Sequence, residues 1–425
     1  MSVRFLKDLP EMVDQEVISS DTATKIRLWY EEKAVRRPNR LLLISGVLGA
    51  ILIGLGIILI LAHNWDSFPK VSKTIIAFIP LAITQLLVIY SMRKKGEVLK
   101  ESSGTLLFFS VGTSISLISQ IYHLPGKMED FLFTWMLLCA PLIYLLKSKS
   151  LTLLHLVFTT WWVVLVGYGY RSEIPWFYGL LFVWVVPFYF NLIKQDNEGN
   201  MTAIMNWILP LNLIISLGTF IDNNELIGFL MYALLFGILY QVGCLKMLSS
   251  HSLRKNGFKV LGVLGMIILL LITSFNDVWK KLPNEVFRYE VEIYISVGMF
   301  VILLLFILKH IQSNKGFNPL LYVPLVFTVI FFVGTLDAIL ATIFVNLLIF
   351  LMGVLFIRNG ALEVNLGIFN FGLLVIVALI MCRFFDTDIS FVLRGIIFVS
   401  VGIGFFIANY LMLKKKQELE KTFQR

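Results

Sequence analysis

The chain has 425 residues, 58% of them hydrophobic and only 15% charged, with a formal net charge of +9. That balance excludes an ordinary soluble domain and a disordered chain, and points to a polytopic membrane protein. Cys139, Cys244 and Cys382 are an odd, scattered set, which excludes a disulfide framework or a cysteine metal site.

Residues 1–40 are polar and charged, without the short apolar core of a secretory signal. They predict a cytoplasmic helical prelude of two short helices, broken near Ser19 and Ser20, which can cap the second. Ile26, Trp29, Tyr30 and Ala34 share one helical face. Such a pair is too small to build its own core, so it either docks on the inner membrane face or meets a cytoplasmic protein partner.

Fourteen apolar runs follow, at about 41–62, 72–92, 104–122, 130–146, 151–168, 174–193, 201–220, 225–246, 258–274, 291–309, 317–335, 337–357, 361–381 and 389–413. Each approaches the length that spans a bilayer as a helix, and none alternates as a barrel strand would. The expected fold is therefore an all-α polytopic membrane bundle of about fourteen transmembrane helices over 41–413. A basic tail, "KKKQELEKTFQR", fills 414–425. With the N-terminus placed in the cytoplasm, most Lys and Arg fall in inner segments and the outer loops are net acidic, so both termini are expected to be cytoplasmic. The positive charge then reflects topology and attraction to membrane lipids, not nucleic acid.

Pro80, Pro141, Pro187, Pro210 and Pro324 fall inside these runs, where each removes a backbone donor and can kink a helix. In the first run Gly46, Ala50 and Gly54 recur every four residues, a face that lets another helix approach closely. "GVLGAILIGLGIILILAHNWDSFP" at 46–69 echoes "GVLGMIILLLITSFNDVWKKLP" at 262–283. A parallel repeat of spans 1–6 and 9–14 would follow from that echo.

The polar residues worth weighing gather at outer span ends. Span 1 ends in "AHNWD", with His63, Asn64 and Asp66. In span 3, Thr113, Ser116, Gln120 and His123 are spaced to share one helical face. Span 4 opens on Glu129 and Asp130, with Trp135 a turn later. These residues predict an outward-facing polar pocket from spans 1, 3 and 4. A histidine near carboxylates can relay protons, bind a cation or act as acid and base. The structural alternative is solvated interfacial residues, Trp65 as an aromatic-belt anchor, and hydroxyls that pack helices.

Charge inside the bilayer needs a partner or a wet cavity. Arg394 lies inside span 14, with Asp337, Asp386 and Asp388 as candidate partners at outer span ends. Glu363 lies near the inner end of span 13, on a face with Gly367 and Asn370; Asn346, Gln85 and Asn212 are near the midplane. No HxxxH or HExxH metal spacing and no nucleotide- or cofactor-binding loop is present. His155, His251 and His310 read as incidental.

"VISSDTATKIRLWYEE", "GLGIILILAHNWDSFP" and "LISQIYHLPGKMEDFLFTWMLLCAPLIYLL" together resemble the bacterial predicted-membrane-protein family called domain of unknown function 2157, over roughly residues 5–150. The resemblance implies a bacterial inner-membrane protein and brings no activity with it. It also implies that Asn64, Trp65, Gln120, Tyr122, His123 and Trp135 belong to the family's pattern.

Three functions remain open on sequence. A transporter or flippase-like protein predicts a cavity reaching the midplane. A membrane enzyme for a lipid-linked substrate, with Asp66 or His123 as base and Arg394 on a phosphate, predicts a groove open to lipid. A sensor or assembly scaffold predicts a packed interior. The first two predict that Asp66→Asn and His123→Ala abolish function without unfolding the chain.

Overall fold

In the computed structural model the residues described are 9–15, 17–35, 40–63, 68–94, 96–169, 173–221, 225–249, 252–280, 291–312, 318–386 and 391–423. Among them the regular structure is helical, with no strand. A helical segment at 9–14 precedes α1 (Ser20–Val35), where the Ser19 hydroxyl accepts from the Thr22 N–H at 3.3 Å. That is the cap expected of this serine pair. The helices that follow are α2 (Arg40–His63), α3 (Lys70–Arg93), α4 (Glu97–Tyr122), α5 (Met128–Leu146), α6 (Lys149–Gly167), α7 (Tyr178–Gln195), α8 (Asn200–Leu217), α9 (Glu225–Gly243) and α10 (Gly257–Thr273). The short α11 (Asn276–Lys280) leads to α12 (Val291–Gln312), α13 (Val323–Gly334), α14 (Ala338–Leu362), α15 (Leu366–Asp386) and α16 (Phe391–Phe423).

Every one of the apolar runs coincides with a helix. Among the described residues nine helices are long and apolar enough to cross a membrane. Large apolar side chains such as Leu86, Val329 and Phe406 stay exposed. A soluble surface rarely tolerates this on such a scale, whereas lipid satisfies it.

Two boundaries differ from the sequence reading, each for a local reason. The run at 317–335 is split: a 3-10 turn over Pro319–Leu321 precedes α13, and Pro324 sits at the helix start instead of inside it. A proline is tolerated there because the first N–H groups of a helix have no intrahelical partner. The run at 361–381 begins too early. α14 continues to Leu362, Val364 turns left-handed at φ 52°, and the Asn365 side chain accepts from the Gly367 and Ile368 N–H groups to start α15. Glu363 is thus an exposed residue of the inter-helix turn, not one on a helical face with Gly367 and Asn370.

The chain divides into two compact units, 1–162 with 182–188, and 163–181 with 189–425. In the first, α4 is the hub on which α2, α3 and α5 pack. Two residues of the small-residue face of α2 pack as expected: a Cβ at Gly46 would meet Ser102 of α4 at 2.9 Å, and Ala50 is buried.

A second clamp holds α4 to the start of α6. Glu101 of α4 is buried, and its carboxylate accepts from the Lys149 and Ser150 N–H groups, both at 2.9 Å, and from the Ser148 hydroxyl. That hydroxyl accepts in turn from the Leu151 N–H at 3.2 Å. The donors that open a helix are unpaired within it, and here a carboxylate from a neighbouring helix takes them, where the helix dipole also favours negative charge.

In the second unit α9 is central, packing on α10, α12 and α13. Glycines allow the closest approaches: a Cβ at Gly262 would lie 2.6 Å from the Tyr240 nitrogen. Buried amides meet tyrosines, with Tyr178 donating to Asn212 Oδ1 at 2.7 Å and Tyr189 to Asn206 Oδ1 at 2.6 Å. Where α10 breaks before α11, Arg383 of α15 donates to the Ser274 carbonyl at 2.8 Å, and Asn346 of α14 donates to the same oxygen at 3.1 Å. A cation and an amide therefore share one of the carbonyls that a broken helix leaves open.

Candidate functional site

The first unit contains a cleft of about 1150 Å³, a cleft and not an enclosed cavity, walled by α3, α4 and α5. Its making starts where α3 and α4 touch. Ala77 is fully buried and packs on Ile121 and its neighbours, and Ser114 donates to the Ala77 carbonyl at 2.8 Å. Small side chains let these helices cross closely, and a buried hydroxyl has to find such a partner.

The other wall is fixed by Trp135 of α5. Its indole N–H donates to the Phe108 carbonyl at 2.7 Å, and its ring stands 5.0 Å from Phe108, 4.7 Å from Phe158 and 5.4 Å from Phe131. Gly112 makes room for it, since a Cβ there would lie 2.4 Å from the ring. Beyond these contacts α3 and α5 leave a space on α4.

Ser116 and Gln120, two of the polar face predicted for span 3, line that space, as do Asp130 and Gln85. No side-chain hydrogen bond ties Gln85, Ser116 or Gln120 to another described residue. The remaining wall is largely apolar, including Phe78, Ile115, Ile118, Phe131 and Leu138. Leu138 is ten residues into α5, about 15 Å along the axis, so the cleft extends on the order of half of a ~30 Å hydrocarbon layer.

The other expected site residues are placed as follows. Thr113 returns its hydroxyl to the Phe109 carbonyl of its own helix at 2.9 Å. His123 is exposed and ends α4 in a left-handed conformation, φ 51°, while the Leu124 N–H reaches the Ser119 carbonyl at 2.9 Å. Glu129 is half-buried and does not line the cleft; Trp135 is core. Asn64 and Asp66 lie outside the described residues, as do the side chains of His63 and Arg394. Asp337 caps α14, accepting from the Ile339 and Leu340 N–H groups at 2.8 and 3.1 Å. No group of three or more His, Cys, Asp or Glu that could hold a metal occurs among the described residues.

The α3 wall, with Gln85, was not part of the expected pocket. A glutamine in the middle of a span was its one sequence signal. Lys127 and Ser119 also line the cleft and were not singled out.

The geometry at His123 gives a direct expectation. A left-handed C-terminal residue favours glycine, so His123→Gly should keep or raise thermal stability by up to about 1 kcal/mol. A loss of stability, read by thermal unfolding in detergent, would mean that the imidazole itself holds the loop.

Residues 10–152 match the family model described as "Predicted membrane protein (DUF2157)". The match covers the stretch that carries the resemblance seen in the sequence. Every residue that lines the cleft falls within this matched segment, as do both ends of the Glu101 clamp. No curated protein and no solved structure matches the chain. The chain is a multi-pass helical membrane protein by its apolar helices and by this match.

Proposed function

We propose that the protein binds an amphiphilic membrane molecule in the cleft of its first unit and serves its movement, as a transporter or flippase-like protein of a bacterial inner membrane. In this reading all fourteen apolar helices cross the bilayer and both termini are cytoplasmic, as the charge distribution favours. The prelude at residues 1–40 lies on the cytoplasmic side, where it is available to a protein partner.

One observation carries the reading: the cleft has two chemistries along its length. Gln85, Ser116 and Gln120 give it a polar track, and Phe78, Ile115 and Leu138 give it an apolar one. Polar side chains within a membrane segment are costly unless they face a partner, water or a ligand. The volume exceeds the roughly 300–1,000 Å³ usual for drug-sized ligands, which suits a molecule with chains. The enzyme reading has less support, because His123 is not on the cleft wall.

The test is photocrosslinking of the purified full chain with a diazirine-bearing phospholipid in proteoliposomes. Labels should concentrate on peptides spanning 111–138. In the double variant Ser116→Leu, Gln120→Leu they should fall about tenfold, the loss expected for roughly 1.4 kcal/mol of polar contact. The same variant should slow movement of a fluorescent lipid between leaflets. Uniform labelling of all lipid-facing helices, unchanged by the double variant, would remove the reading.

A further inference from the structure

We propose that the cleft prefers a lipid with an uncharged, hydroxyl-bearing headgroup, of the glycosyl diacylglycerol type, whose hydroxyls are held by Ser116 and Gln120. This rests on the reading of the cleft as a lipid site and specifies its ligand.

The charge of the wall sets the class. Among the described lining residues only Lys127 and Asp130 are charged, and both belong to the start of α5, at the mouth. Lys127 already has an interaction partner. From one turn further in, the polar lining is neutral: Ser116, Thr134 and Gln85. A phosphate or an ammonium drawn to that depth would give up its water without meeting a counter-charge, which a membrane interior penalises heavily. An uncharged headgroup enters without that cost.

The lining hydroxyls narrow the class. Ser114 donates to the Ala77 carbonyl at 2.8 Å, Ser119 to the Leu124 carbonyl at 3.2 Å and Thr134 to the Asp130 carbonyl at 2.8 Å. These three are spent within the protein. Ser116, Gln120 and Gln85 are not, although all three are exposed at the cleft. A carboxamide presents donors and an acceptor side by side, and a hydroxyl does both from one atom. Ligand hydroxyls have the same two capacities, so each group can both give and receive. A ligand with carbonyls alone would accept from these side chains and leave their oxygens unmet.

The placement suits one sugar ring. Ser116 and Gln120 are one turn apart on α4, about 6 Å along its axis, so neighbouring hydroxyls of one ring can reach both. Phe78, Ile115, Ile118 and Leu138 supply apolar wall for the acyl chains. Gln85, about 22 Å along α3 from its Lys70 end, is the next neutral contact in depth, and it suits the same headgroup for the same reason.

The experiment is native mass spectrometry of the full chain. It is released from nanodiscs of equimolar monoglucosyl diacylglycerol, phosphatidylethanolamine and phosphatidylglycerol with identical acyl chains. Retained glucolipid should exceed each phospholipid by about tenfold, the ratio that one or two neutral hydrogen bonds supply. Gln120→Leu should bring that ratio close to one, and Ser116→Ala should lower it. Asp130→Asn should not lower it, because no ligand charge meets that carboxylate. Equal or greater retention of either phospholipid by the unmodified chain overturns the headgroup assignment. So does a preference that survives Gln120→Leu, or one that Asp130→Asn removes. In each of those cases the cleft reading stands if the double variant Ser116→Leu, Gln120→Leu lowers total retained lipid. If that variant leaves total retention unchanged, or no lipid is retained at all, the cleft reading falls and this assignment with it.

Discussion

Glu101→Ala should destabilise the first unit by about 3–5 kcal/mol, because buried donors left without an acceptor cost about 1–3 kcal/mol each. The substitution orphans the Lys149 and Ser150 N–H groups and the Ser148 hydroxyl together. Within a membrane protein water is a poor substitute partner. Ser148 would still cap Leu151, so α6 should persist as a helix while its attachment to α4 is lost. The measurement is thermal unfolding followed by circular dichroism, with size-exclusion profiles in the same detergent. Glu101→Gln keeps one carbonyl acceptor and should lose markedly less. An unchanged midpoint for Glu101→Ala would show that the clamp is not holding the unit together.

Trp135→Ala should cost a similar amount, about 3–5 kcal/mol, the range for removing a large buried aromatic. The indole fills the space between Phe108, Phe131 and Phe158 and donates to the Phe108 carbonyl. Gly112 supplies an internal control. A Cβ there would meet the ring at 2.4 Å, so Gly112→Ala should cost about 1–3 kcal/mol by overpacking. In the Trp135→Ala background the same change should cost little or nothing, since the obstructing ring is gone. A double-mutant cycle of chemical unfolding reads this coupling. Strict additivity would mean that the two residues do not share the space assigned to them. Loss of the bracket should also widen the cleft, because α5 would no longer be fixed against α4.

The helices were legible in the sequence because long apolar runs have few alternatives in a membrane. The two misplaced boundaries lie where a single residue outweighs the apolar pattern. Pro324 opens a helix, and Val364 with Asn365 closes one and starts the next. Hydropathy treats all these residues as ordinary members of a run, so it cannot see them.

The site was legible on two of its three walls, α4 and, through Asp130, α5. Period and spacing brought Ser116 and Gln120 to one face of α4, and both line the cleft. The same spacing included Thr113, which bonds back to its own helix, and His123, which has already left helical conformation. Periodicity assumes a helix that continues and side chains that look outward. The opposing wall came from α3, because which helices pack together depends on contacts such as Ser114 with Ala77, and no single stretch of sequence encodes them. Glu101 escaped for the reverse reason. A charged residue just before an apolar run reads as solvated, and only the folded α6 start reveals what it binds.

The proposed function requires a lipid in the cleft of the first unit. The most direct measurement is an electron cryo-microscopy structure of the full chain in nanodiscs containing phosphatidylethanolamine. The expected result is an elongated density that enters at the cleft mouth and runs past Ile115 toward Gln85. A structure in which α3 closes onto α4, with Ser116 and Gln120 turned away and no space between them, would contradict it.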